Sequence, residues 1–113
     1  MRLVSAMIRP ECVEAVTGAL DRLGVMGGMT VTDVRGFGRQ RGQVEHYRGG
    51  EYRARFVSKV RVDIAVRGRD VEAVLETMSH AARTGHVGDG KIVVAELLHA
   101  IRIRTGERGA GVL

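Results

Sequence analysis

The ten residues SKVRVDIAVR, Ser58 to Arg67, alternate strictly. Val60, Val62, Ile64 and Val66 stand on one face, and Lys59, Arg61, Asp63 and Arg67 on the other with Ala65 among them. A period of two sustained over that length defines a β-strand with one buried face. The rest of the chain must therefore supply partner strands and a layer that covers those valines.

Residues 2 to 9, RLVSAMIR, carry apolar side chains on both alternating faces, as a central strand does. Pro10 opens a helix whose stripe is Val13, Val16, Leu20 and Leu23, with Gly24 as a left-handed stop. Met29 to Arg35, rich in Val and Thr, reads as a second strand after Gly27-Gly28. Asp70 is placed to cap a second helix with the stripe Val71, Val74, Leu75, Met78 and Ala82, ending at Thr84-Gly85. Lys91 to Leu98, KIVVAELL, is the last strand. The order βαββαβ predicts a ferredoxin-like α+β fold, an antiparallel sheet with two helices on one face. The other face, bearing Lys59, Arg61 and Asp63 beside apolar residues of strand one, suits subunit packing and ligand contact.

The 113 residues fit one domain, spanning 1–113. A domain this small buries only about two-thirds of its unfolded surface, which favours association between chains. A net charge of +5 draws the protein to anions, from nucleic acid to phosphorylated small molecules. The one cysteine, Cys12, forms no internal disulfide and fits a reducing compartment. Between Arg2 and Arg9 the apolar run is too short for a signal peptide, and no window reaches the ~20 apolar residues of a membrane span. The expected location is cytoplasmic, without membrane insertion.

Three segments carry anion-binding chemistry. GHVGDGK, Gly85 to Lys91, matches G-x-x-x-x-G-K, but Ile92 stands where a P-loop needs Ser or Thr, and the segment joins a helix to a strand rather than the reverse. Its glycines still admit close backbone approach to phosphate, and the lysine adds a point charge; the bland alternative is a connector of turn residues. In RIRTGERG, Arg102 and Arg104 alternate onto one side of an extended segment, as a phosphate clamp or as a solvated charge run. GFGRQ, Gly36 to Gln40, is a G-x-G turn at the end of strand two that lacks dinucleotide-binding spacing. Between it and Phe56 runs a long loop with five glycines, five arginines, Tyr47 and Tyr52, counted from Gly36.

In this order and topology, GMTVTDVRGFGRQRG, YRGGEY, TGHVGDGKI and IRIRTGE resemble the motifs of the PII signal-transduction proteins, trimeric sensors of nitrogen status. The resemblance covers nearly the whole chain. It implies a homotrimer with ATP or ADP in the cleft between neighbouring subunits, and 2-oxoglutarate joining Mg-ATP at the base of the long loop. That loop, at about 38–57, is the family's T-loop, which contacts target proteins. The B-loop lies at about 84–91 and the C-loop at about 102–113.

Carried over by position, Gly36, Phe37, Gly38, Arg39 and Gln40 match the strand-end nucleotide motif. Gly88, Asp89, Gly90 and Lys91 match the phosphate cradle, Arg102 and Arg104 the C-loop clamp, and Thr30 and Ala65 the adenosine pocket. Gln40 and Lys59 match the magnesium and 2-oxoglutarate positions, Asp63 falls where a glutamate is common, and Tyr52 matches the modified tyrosine. The sequence departs from the family at Gly50, at Arg55-Phe56 in place of an Asp-Phe pair, at Ser58 in place of a proline, at Val93 and in the Gly27-Gly28 length.

The function the resemblance implies is a nitrogen-regulatory binding protein, not an enzyme, that controls targets such as an ammonium channel, a nucleotidyltransferase or a metabolic enzyme. An RNA-binding ferredoxin-like domain is the alternative from charge and topology. Its base-stacking strand motif is missing, so no nucleic-acid partner is expected. Slow ATP hydrolysis is a third reading, with only Asp89 beside the phosphates as a base. His46, His80, His86 and His99 lie on separate elements without ligand spacing.

Overall fold

A computed structural model of the chain describes residues 1–25, 27–37, 44–47, 50–53 and 56–113. The strictly alternating segment forms β5 (Val57–Val66), the longest strand. It pairs antiparallel with β1 (Arg2–Ile8) on one side and β2 (Thr30–Gly36) on the other, and β6 (Lys91–Glu96) pairs antiparallel with β1, giving the order β2-β5-β1-β6. This is the antiparallel four-stranded sheet of a ferredoxin-like α+β fold.

Because residues directly opposite share a face, the pairs Val4↔Ile64, Ala6↔Val62 and Ile8↔Val60 collect the apolar alternates of β1 and β5 on one side. Two helices, α1 (Val13–Leu23) and α2 (Val71–Ala82), cover that side. Val16 and Leu20 from the first, and Val74 and Met78 from the second, are wholly buried against the sheet valines. Cys12 is buried in the same cluster, a packing residue with its thiol toward the Ala82 carbonyl. The opposite face is open. It carries Leu3, Ser5 and Met7 of β1 beside Ala65, Asp63 and Arg61 of β5.

The ends of the elements show where local chemistry yields to tertiary contacts. Gly24 takes φ 76 and donates its N–H to the Leu20 and Asp21 carbonyls, the left-handed stop its residue type predicts. Asp70 does not cap α2. It lies at helical φ and ψ at the end of a 3-10 turn (Gly68–Asp70) that leads into the helix, and its side chain makes no capping bond. The helix stops at Ala82 rather than at Thr84-Gly85, because the N–H groups of Thr84 and Gly85 are taken by the carboxylate of Asp89. Strand β6 stops at Glu96 rather than Leu98: its pairing with β1 ends at Arg2, and Leu97 donates to the Met1 carbonyl just beyond.

Two short strands inside the long loop were not legible in the sequence: β3 (Val44–Tyr47) and β4 (Gly50–Arg53) form an antiparallel hairpin with Tyr47 opposite Gly50. At the loop's return, Ser58 lies within β5 opposite Arg35. A proline there would remove a backbone donor, so the serine lets the strand be continuous from Val57.

Candidate functional site

The turn between α2 and β6 is built around one carboxylate. Asp89 accepts hydrogen bonds from the Thr84 and Gly85 N–H groups, both 2.9 Å, from the Thr84 hydroxyl and from Arg9 Nε at 3.1 Å. The Thr84 hydroxyl is the strongest cause of a carboxyl held far below its usual range; partial desolvation opposes it, and the two N–H groups and Arg9 add to it. Asp89 is thus the internal brace of the turn, an anion at every physiological pH. Arg9 also donates to the Val87 carbonyl at 2.8 Å, so the end of β1 grips the turn at two points.

Gly90 fixes the turn against the sheet. Its φ is 100°, and a Cβ there would stand 1.7 Å from the Met7 carbonyl oxygen. Only glycine fits this approach, which starts β6 at Lys91, opposite Met7. The ammonium of Lys59, from β5, donates to the Gly88 carbonyl and ties the turn to the strand that leaves the long loop.

These contacts shape a cleft of about 900 Å³ on the open face, where Gly36, Phe37 and Lys59 meet Val87, Gly88, Gly90 and Lys91. Gly36 and Phe37 of the strand-end motif, the loop-base lysine and the glycine-lysine segment are therefore brought to one place. At its rim Phe37 and Phe56 pack at 5.6 Å between ring centroids, tilted by 50°, with the Arg35 guanidinium 5.7 Å from the Phe56 ring. Both rings remain more than half exposed. The pair spans the two ends of the loop just beyond Gly36 and Val57, whose pairing closes the β2-β5 ladder.

The remaining sequence-assigned residues gather at the other end of the sheet. Ala65 pairs with Leu3, and Thr30 with Asp63, six and four residues along β5 from Lys59, or roughly 20 and 13 Å. Asp63 lies between, accepting from the Ser5 hydroxyl and from Arg61. Arg102 and Arg104 follow β6 past the Met1 end. They do not alternate along an extended segment as the sequence reading expected. Residues 101–108 turn back on themselves: Gly106 N–H bonds the Arg102 carbonyl at 2.8 Å, Arg102 N–H the Glu107 carbonyl at 2.9 Å, and Ile101 bridges Arg108. Gly106, at φ 73, permits the reversal, and the Arg102 guanidinium is paired with Glu107 while Arg104 is exposed.

Gly38, Arg39 and Gln40 lie outside the described residues, and Tyr52 enters only through its backbone pairing with Glu45. Arg9, Thr84 and Arg35 are the residues the sequence reading missed. Arg9 and Asp89 are 80 positions apart, and only the knowledge that β6 lies beside β1 unites them. The arginine before Pro10 is the one local signal, since a residue preceding proline is held extended and so prolongs the strand.

A ferredoxin-like α+β domain with a hairpin-bearing loop rising from one end of its sheet is the class that fold and cleft define. The description Nitrogen regulatory protein P-II matches residues 1–107, and the chain belongs to this family. The nitrogen regulatory protein GlnK of Escherichia coli (strain K12) is 50% identical over 107 residues, 95% of each chain. Nitrogen regulatory proteins P-II of Nostoc punctiforme and Microchaete diplosiphon are 49% and 48% identical over 108 residues, 96% of each chain. No helix among the described residues is long and apolar enough to cross a membrane.

Proposed function

We propose that this PII protein is a cytoplasmic homotrimer that binds ATP or ADP between neighbouring chains, takes up 2-oxoglutarate with Mg-ATP, and signals the result to target proteins through the loop at about 38–57. It acts by binding, not as a dedicated enzyme. The carrying observation is the single cleft that joins the root of that loop to the glycine-lysine turn.

The residues present fit a polyphosphate. Gly90 brings bare backbone to the cleft where no side chain would fit, and Lys59 and Lys91 line it with positive charge. The phosphates would be held by the 88–91 backbone and Lys91, with Gly36, Phe37, Gly38 and Arg39 beside them. Thr30, Asp63 and Ala65 would face the adenosine end, and from that same end of the chain Arg102 and Arg104 would clamp the phosphates of the shared nucleotide. These two groups lie at opposite ends of one face of one chain, so a single nucleotide meets both only where two chains adjoin. Such head-to-tail contacts make a ring when the rotation between chains closes, and the proposed trimer is one such ring.

Magnesium would supply the bridge that lets a dicarboxylate lie near a triphosphate despite like-charge repulsion. Gln40 is the residue proposed to hold it, a neutral ligand that adds no negative charge. Lys59 is proposed for the far carboxylate of 2-oxoglutarate. To reach it, Lys59 must release the Gly88 carbonyl, which couples the turn to the loop root. Tyr52 is the proposed site of any nucleotidylation.

Calorimetric titration tests the assignment. Lys91→Ala should weaken ATP tenfold or more, at about 1.4 kcal/mol per decade. 2-Oxoglutarate should bind in the presence of Mg-ATP and hardly at all with ADP. An unchanged ATP affinity in the variant would place the phosphates elsewhere.

A further inference from the structure

The end of β1 has a part in this site that its sequence does not advertise. Pro10 restricts Arg9 to extended backbone, and Arg9 sits at φ −64, ψ 140. Its carbonyl accepts the Cys12 N–H at 3.0 Å, so the main chain is held on both sides. From this fixed base the guanidinium reaches the turn at residues 84–90 by two different edges, Nη2 to the Val87 carbonyl and Nε to the Asp89 carboxylate. Its side chain is only 24% exposed.

We infer that Arg9 is a positioning residue for phosphate binding: it sets the turn in its binding geometry from outside, without being among the residues that line the cleft. The inference rests on the proposal that this turn cradles the nucleotide phosphates.

Three features of the geometry carry it. First, the two acceptors flank Gly88, whose own carbonyl is held by Lys59; with Val87, Gly88 and Asp89 all anchored, the peptide planes on either side of the cradle glycine have little freedom. Second, Asp89 gathers the N–H groups of Thr84 and Gly85 and the Thr84 hydroxyl, which in turn accepts the His86 N–H. Arg9 is therefore the link by which that carboxylate itself is fastened to the end of β1, beside the tie that Lys59 makes from β5. Third, the guanidinium fork suits the task as an ammonium does not, because two acceptors at different angles need donors fixed in a plane. A preorganised cradle binds more tightly because its ordering cost has been met before the ligand arrives.

Neutralisation also follows. The carboxylate of Asp89 would repel a polyphosphate arriving at the same turn, and the cation of Arg9 against Oδ1 offsets that charge. Lysine at this position would keep the charge but lack the planar fork that fixes the directions of both acceptors.

The test uses the full chain with Arg9→Gln, Arg9→Lys and Asp89→Asn. Amide exchange without nucleotide should speed up at Thr84, Gly85 and His86 in Arg9→Gln while the β1, β5 and α2 amides keep their protection. ATP should bind about tenfold more weakly in that variant. Arg9→Lys should recover part of the loss, a graded rescue that mere loss of fold would not give. Adding Arg9→Gln to Asp89→Asn should cost less affinity than adding it to wild type, because the shared contact is already broken.

Normal turn protection and normal ATP affinity in Arg9→Gln would overturn the inference. A loosened turn with unchanged affinity would overturn it equally, leaving Arg9 a structural brace alone. Failure of wild type to bind ATP is a different outcome and sinks the nucleotide reading itself. Should Arg9→Gln not fold, the Arg9→Lys and Asp89→Asn titrations decide: full wild-type affinity in both rejects the brace.

Discussion

Gly90 shows how little the site leaves to side-chain choice. At φ 100°, with the Met7 carbonyl where a Cβ would be, alanine cannot enter without moving either the turn or the edge of β1. Gly90→Ala should destabilise the chain by about 2 kcal/mol or more, the range for backbone strain combined with a clash against main chain. It should also weaken ATP, because the displaced segment is the proposed phosphate cradle. Urea unfolding checks the first and calorimetry the second; an unshifted midpoint would show that the close approach is not rigid. The sequence marks Gly90 as a turn residue but gives no hint of Met7 as its neighbour, since that contact exists only once β6 pairs with β1. Arg9 and Asp89 were illegible for the same reason. By contrast Val60, Val62, Ile64 and Val66 were legible at once, because their burial follows from period alone and needs no knowledge of the partner.

At the scale of elements, the two helices and four sheet strands announced themselves through apolar periodicity, while their ends did not. Asp70 looked like a cap and is not one; α2 ends where the Asp89 carboxylate claims its next N–H groups. The hairpin of β3 and β4 escaped notice because VEHY and GEYR lack an apolar face.

The turn at 84–91 nonetheless behaves as an element in its own right, and its acid response follows from its brace. The Asp89 carboxyl ordinarily titrates near 3.8 and is held well below that in the folded chain, chiefly by the Thr84 hydroxyl. A depressed folded pKa means that ionised Asp89 contributes fully above the unfolded value, and that the contribution fades as pH falls below it. The Tm difference between wild type and Asp89→Asn should therefore be constant from pH 8 to 5 and narrow below about pH 4. A difference that instead changed around neutral pH would show that a group other than Asp89 governs the turn.

For the whole molecule, the decisive property is that the two groups of residues proposed for the nucleotide lie at opposite ends of the open face of one chain. Lys91 lies beside Met7 at one end, while Arg102 and Arg104 follow β6 beyond Met1 at the other. If each nucleotide lies between neighbours, Lys91→Ala damages the half-site that a chain offers on one side, and Arg102→Ala with Arg104→Ala damages the half-site it offers on the other. Trimers of either variant alone would then have no intact site. In a ring containing both variants, there is always one junction where an undamaged Lys91 meets undamaged arginines. After dissociation and random reassembly of equal amounts, about a quarter of all sites should be intact and bind ATP at wild-type affinity. Light scattering should report three chains throughout, and calorimetry of the mixture should reveal a tight class of sites that neither parent has. If mixing restores nothing while the trimers do exchange chains, the two groups of residues do not share a ligand across the interface, and the nucleotide must be held by one chain alone.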